Sequence, residues 1–92
     1  MTRQRADVWL HRARIFKSRA IAGSAIAVGA VRLQRAGAVK RLEKPAELVG
    51  PGDALLIALP RGLRMIRVLA LGARRGPPGE ARLLYEEDPE PT

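Results

Sequence analysis

The sequence predicts an α+β fold: two N-terminal helices packed on a small, mainly antiparallel β-sheet, then a short C-terminal helix and a disordered tail. Three observations lead there. Residues 7–28 carry apolar residues at helical spacing, interrupted at Ser18. Residues 31–71 break into short alternating or apolar runs separated by turn signals. The chain has 92 residues and is 47% hydrophobic but only 3% aromatic, which suits one domain with a small aliphatic core.

Each element has a local reason. Asp7 is a suitable N-cap for a first helix that places Trp9, Leu10, Ala13 and Phe16 near one face. Ser18 restarts a second helix bearing Ile21, Ala22, Ala25, Ile26 and Val28, with Gly29 as the residue beyond its end. Narrow, alanine-rich faces let the two helices pack closely as a hairpin or angled pair. Val31-Arg32-Leu33 then alternates like a strand, and Ala38-Val39-Lys40 pairs with it across an Arg35-Ala36-Gly37 turn. Lys44-Pro45 interrupts, and Gly50-Pro51-Gly52-Asp53 turns the chain into an apolar strand from Ala54 to Leu59. Pro60-Arg61-Gly62 leads to another strand over Arg64 to Leu71. Arg74 to Gly79 breaks regular structure, Glu80 to Glu87 forms the short helix, and Asp88 to Thr92 is the disordered tail.

The formal charge is +8, and its distribution is uneven. Basic groups stand at Arg3, Arg5, Arg12, Arg14, Lys17 and Arg19, at Arg32 to Lys44, and at Arg61 to Arg75, whereas Glu86 to Glu90 is acidic. Arginine outnumbers lysine, which suits bidentate contacts to phosphate and favours a polyanionic partner. The absence of cysteine excludes disulfides and thiolate metal sites and points to a cytoplasmic protein. The apolar run from Ala20 to Ala30 is well short of the roughly 20 residues that span a bilayer, so no membrane association is expected.

Catalysis has little to build on. His11 is the single histidine, and no carboxylate stands at helical spacing to orient it. Gly50 to Asp53 lacks the Lys-Ser/Thr that follows a nucleotide-binding glycine loop. Neither an enzyme, a cofactor nor a metal is expected. Binding has more support. Ser18 caps a helix whose first amides point outward, and Lys17 and Arg19 flank them, so anion and cation meet at one place. Arg12, Arg14 and Arg32 extend this into a basic face, while Trp9 belongs to the core.

Arg5-Ala6-Asp7-Val8-Trp9-Leu10, Ala13 to Arg19, Gly29-Ala30-Val31-Arg32-Leu33, Lys44-Pro45 and Gly52-Asp53 follow one another in a familiar order. Over roughly residues 5–67 the chain resembles the RNA-binding domain named after small-subunit ribosomal protein S-four, the αL motif. Residues 68–92 form a C-terminal extension. Its Val68 to Pro77 stretch and Leu84-Tyr85-Glu86 resemble the ribosome-associated fifteen-kilodalton heat-shock protein family. The resemblance implies RNA-binding roles for Arg5, Arg14, Lys17, Ser18, Arg19, Arg32 and Lys44, to which the basic face adds Arg12, with Asp7 as an N-cap or arginine partner. It also implies a partner, structured ribosomal RNA of the large subunit, including subunits that carry a stalled nascent chain. Val8 stands where the family commonly has lysine. The usual Asn-Gly turn is replaced by a longer loop over 34–41, whose Arg35, Lys40 and Arg41 either add RNA contacts or simply keep a longer hairpin soluble.

The sequence reading is therefore a monomeric, non-catalytic RNA-binding protein. A basic architectural protein that binds duplex DNA non-specifically is the alternative.

Overall fold

The computed structural model describes residues 3–88. In chain order these form β1 (Gln4–Arg5), α1 (Ala6–Arg12), α2 (Arg19–Ala27), β2 (Val31–Arg35), β3 (Ala38–Arg41), β4 (Leu48–Val49), β5 (Ala54–Leu59), β6 (Gly62–Val68), α3 (Pro78–Ala81), a 3₁₀ turn (Arg82–Leu84) and β7 (Tyr85–Asp88). The five longer strands make one antiparallel sheet in the order β3-β2-β5-β6-β7, and β1 pairs with β4 apart from it. The α+β class, the helix pair and the short C-terminal helix are as expected.

Alternation decides which sheet face is buried. Val31 and Leu33 of β2 stand opposite Ile57 and Leu55 of β5, and Leu55 stands opposite Ile66 of β6. All five are buried, together with Trp9 and Leu10 of α1 and Ile26 of α2. The opposite face carries Arg32, Leu56, Met65 and Arg67, with Arg32 directly across from Arg41.

Both helices end on the same backbone device. After α2, Gly29 donates to the Ile26 carbonyl and Ala30 to that of Ala25, with Gly29 at φ +82°. This is the paired-bond C-terminal cap that glycine favours. After α1, Arg14 donates to His11 and Ile15 to Leu10 in the same pattern, but the left-handed residue is Arg14, at φ 61°. The first helix therefore stops at Arg12 rather than reaching Phe16. Ile15 and Phe16 still pack against the core from the following bend.

Other expectations need correction as well. Asp7 is not the N-cap of α1; Arg5 holds that position without a side-chain cap. The first α1 amides are met by backbone instead, Ala6 donating to Glu47 at 2.7 Å and Asp7 to Pro45 at 3.2 Å. The expected pairing of Ala38-Val39-Lys40 with β2 is present, so residues 34–41 are not a long loop but a tight hairpin, with Arg35 opposite Ala38 and Ala36 and Gly37 both at positive φ. That pair of dihedral signs marks a type I′ turn, whose twist matches the flanking strands. The last central strand runs from Gly62 to Val68 rather than Arg64 to Leu71, because it pairs with β5 from Leu59–Gly62 onward.

The segment expected as one helix over 80–87 divides, since Tyr85 turns to extended backbone and Glu87 pairs with Ile66. A two-point Arg64–Glu87 ion pair at 2.7 Å fastens this edge strand. Asp88 thus belongs to β7, and the remainder of the expected disordered tail, 89–92, lies outside the described residues.

Candidate nucleic-acid interface

Ser18 begins the site. Its extended backbone (φ −147°, ψ 162°) aims the hydroxyl at the helix, where it accepts the Ile21 amide at 3.0 Å. The amides of Arg19 and Ala20 precede the first intrahelical bond and have no acceptor within the helix. Arg14, Lys17 and Arg19 are all exposed around this start. Positive helix-end charge and mobile cations therefore converge where a phosphate oxygen can be bonded.

Asp7 organises the neighbouring cations. Its carboxylate accepts from Arg5 Nε and Nη2 at 3.1 Å, takes the Val8 amide at 2.8 Å and faces Arg19 at 3.5 Å. Burial alone would raise its pKa. The Arg5 bonds and charge, the Val8 amide and the Arg19 charge outweigh that and hold it below the ordinary 3.8. One buried carboxylate thereby links the beginnings of α1 and α2. The Lys44–Pro45 turn closes the same corner: Pro45 supplies a carbonyl to α1 and lies against Gly23 of α2, while Lys44 is exposed.

The structure separates the expected contact residues by what else they do. Lys17, Arg32 and Lys44 are exposed and have no ion-pair partner among the described residues. Arg5 and Arg19 share Asp7, and Ser18 is a cap. Arg12 donates to the Gly72 carbonyl at 2.6 Å, and Arg14 donates to that of Gly76 at 2.6 Å. Arg32 lies past the far end of α2, whose nine residues put about 13 Å of helix axis between it and Arg19.

The three cations of the 34–41 hairpin differ as well. Arg35 makes a two-point pair with Asp53, and Lys40 reaches Glu47 at 2.8 Å. Arg41 lies across the end of α2, so close that a Cβ added to Gly29 would meet its guanidinium at 2.7 Å.

The sequence reading did not single out the segment after β6 as part of this region. Trp9 Nε1 donates to the Ala70 carbonyl at 2.9 Å, Gln4 Nε2 to that of Gly72 at 2.8 Å, and Arg75 Nε to that of His11 at 3.2 Å. With Arg12 and Arg14, these bonds fasten residues 70–76 along α1. His11 is partly exposed in the middle of this arrangement. Desolvation lowers its pKa from 6.5, and the charges of Arg75, Arg12, Arg19 and Arg14 lower it further. Among the described residues, no group of three or more His, Cys, Asp or Glu side chains is placed to hold a metal ion, and no helix is long and apolar enough to cross a membrane.

Fold and site together define a small α+β module: a helix pair on an antiparallel sheet, with a cation-lined helix start as its most chemically distinctive feature. No family model matches the chain. It is similar to Heat shock protein 15 of Escherichia coli (strain K12), with 35% identity over 86 residues that cover 94% of this chain and 61% of the relative. The protein of the same name from Escherichia coli O157:H7 matches equally. The chain thus spans about three fifths of the length of these curated relatives. Among solved structures, one described as the trimeric structure of Vibrio cholerae Heat Shock Protein 15 superposes with a TM-score of 0.82. Its sequence identity is 26%, covering 95% of this chain and 83% of that one.

Proposed function

We propose that the protein is a member of the Heat shock protein 15 family and a non-catalytic binder of structured RNA. Its target in this reading is ribosomal RNA of the large subunit, including subunits that retain a stalled nascent chain, in a heat-shock or ribosome-rescue role. The observation that carries the reading is the start of α2, where Ser18 leaves two outward amides between exposed Lys17 and Arg19. Phosphate contacts of this kind supply affinity without reading bases, which suits recognition of RNA by shape. The similarity to relatives named for heat shock supports the stress context.

Lys17 is the residue to test, because Arg14 and Arg19 also hold the fold together. Lys17→Glu should melt like the parent protein and lose most of its co-sedimentation with purified large ribosomal subunits, above all at low salt. Undiminished binding across a salt series would sink the assignment. Competition between an RNA hairpin and duplex DNA separates this reading from a DNA-binding architectural role. The protein acts as a monomer in this reading, and light scattering checks that against the trimer for which the Vibrio structure is named.

A further inference from the structure

The geometry points to a second RNA-contact element, the loop over residues 72–77, in which Arg75 binds a phosphate next to the one held at the start of α2. The inference rests on the proposed RNA-binding reading and adds to it a residue that follows β6 in the chain, outside the helix pair and strand that the sequence pointed to.

Four features of the loop support it. First, the loop is held in place. Gln4 and Arg12 both donate to the Gly72 carbonyl, and Arg14 donates to that of Gly76. A Cβ added to Gly72 would approach that of Arg12 to 2.9 Å, so the loop backbone lies directly on α1. A cation carried here is positioned before any ligand arrives, which reduces the ordering cost of binding.

Second, Arg75 is only partly exposed, and one edge of its guanidinium is already used: Nε donates to His11. That acceptor belongs to the last turn of α1, where a cation is favoured. The two Nη groups have no protein acceptor among the described residues. They are the fork that grips phosphate oxygens.

Third, neighbouring charge is left unneutralised. Arg74 is matched by Glu80 at 2.9 Å, but among the described residues no carboxylate pairs with Arg75, Arg12 or Arg14. The Glu80 carboxylate, already paired with Arg74, also lies against Gly76, but the three guanidiniums outnumber it, and a bound phosphodiester relieves the repulsion among them. Fourth, the charges of Arg75, Arg12, Arg19 and Arg14 all reach His11, so the loop cation and those of the helix junction act on one place. The surface therefore joins Arg14 and Arg19 of the helix junction to Arg75 of the loop.

The test compares Arg75→Gln, Lys17→Glu and the distant, exposed Arg61→Gln with the parent chain. Binding to purified large ribosomal subunits is followed by co-sedimentation over a salt series. Arg75→Gln should weaken binding about tenfold near physiological salt and flatten the plot of log K against log salt by about one unit, as expected for one lost phosphate contact. Arg61→Gln should bind like the parent. If Arg75→Gln binds as tightly as Arg61→Gln while Lys17→Glu fails, the loop assignment is overturned and the helix-start reading stands. If Lys17→Glu binds normally, or the parent chain does not bind, both fall together. Should Arg75→Gln loosen the loop and melt early, the slope decides: weaker binding with an unchanged slope is a structural loss and overturns the inference.

Discussion

Arg35 and Asp53 meet in a two-point ion pair, Nε to Oδ1 at 2.9 Å and Nη2 to Oδ2 at 2.7 Å, which joins the end of β2 to the turn before β5. Asp53 is 5% exposed and also accepts the Gly50 amide at 2.8 Å. Arg35 spends a third bond on the Leu48 carbonyl. An arginine that sequence position assigns to RNA is thereby committed to closing the Gly50–Asp53 turn.

Arg35→Ala should accordingly cost stability rather than RNA affinity. It leaves a buried carboxylate with only a backbone donor, a loss of about 2 kcal/mol, or a melting temperature lower by roughly 10 °C. Burial pushes the Asp53 pKa up, but the Arg35 bonds, the Gly50 amide and the Arg35 and Arg3 charges bring it below 3.8. Its folded pKa is depressed, so its stabilisation is present above pH 3.8 and is lost as pH falls through the lower folded value. Melting curves of parent and variant should therefore differ at neutral pH and converge in acid. A constant gap would argue against the pair.

Ala36 occupies a left-handed conformation, φ 53°, ahead of Gly37 at φ 81°. Asparagine tolerates that region better than alanine does and leads the residues found there in type I′ turns. Ala36→Asn should raise stability by about 0.5–1 kcal/mol with RNA binding unchanged. Thermal or urea denaturation measures it, and a destabilised variant would contradict the turn assignment.

Gly72→Ala should undock the 70–76 segment. The added methyl would lie 2.9 Å from Arg12 Cβ and 3.0 Å from Leu84 Cδ1, closer than such atoms pack. The expected cost is about 1–3 kcal/mol. Amide hydrogen exchange should accelerate at Leu69 and Ala70, which both donate to the Leu84 carbonyl. Parent-like exchange there would show that the loop tolerates the methyl.

His11 offers a pH readout of binding. Desolvation and four arginine charges hold it mostly neutral down to a pH below 6.5. A phosphate among those arginines offsets their charge and raises the imidazole pKa, so complex formation takes up a proton. RNA affinity should then rise several-fold as pH falls through the region below 6.5, and His11→Gln should remove most of that rise. As His11 is the single histidine, its ring protons report the titration directly by NMR. An unshifted titration on adding RNA would contradict the placement of phosphate here.

Local signals were the legible part of the molecule. Ser18 and Gly29 bound α2 correctly because a cap and a left-handed glycine act within a few residues of themselves. Val31, Leu33, Ala54 and Ile57 declare their strands by alternation or by an apolar run. Arg14 hides the end of α1, since a non-glycine residue at positive φ leaves no composition signal and Phe16 continues the helical spacing. β7 is hidden for another reason: Leu83, Leu84 and Glu86 favour a helix locally, and only pairing with a strand 17 or more residues away overrides them. In the candidate site, the cap and its flanking cations were readable. The commitments of Arg12 to Gly72, Arg14 to Gly76 and Arg35 to Asp53 were not. Two of those acceptors are backbone carbonyls with no side-chain signature, and the third is 18 residues away in sequence, brought beside Arg35 only by the β2–β5 pairing.

Trp9 is the chain's single tryptophan; it is fully buried, and its indole nitrogen is bonded to Ala70. The protein consequently carries its own optical gauge of the segment laid along α1. Release of that segment exposes the indole to water and shifts its emission to longer wavelength, without a dye or a label. Whatever grips or frees residues 70–76 can thus be followed in the intact molecule by light alone.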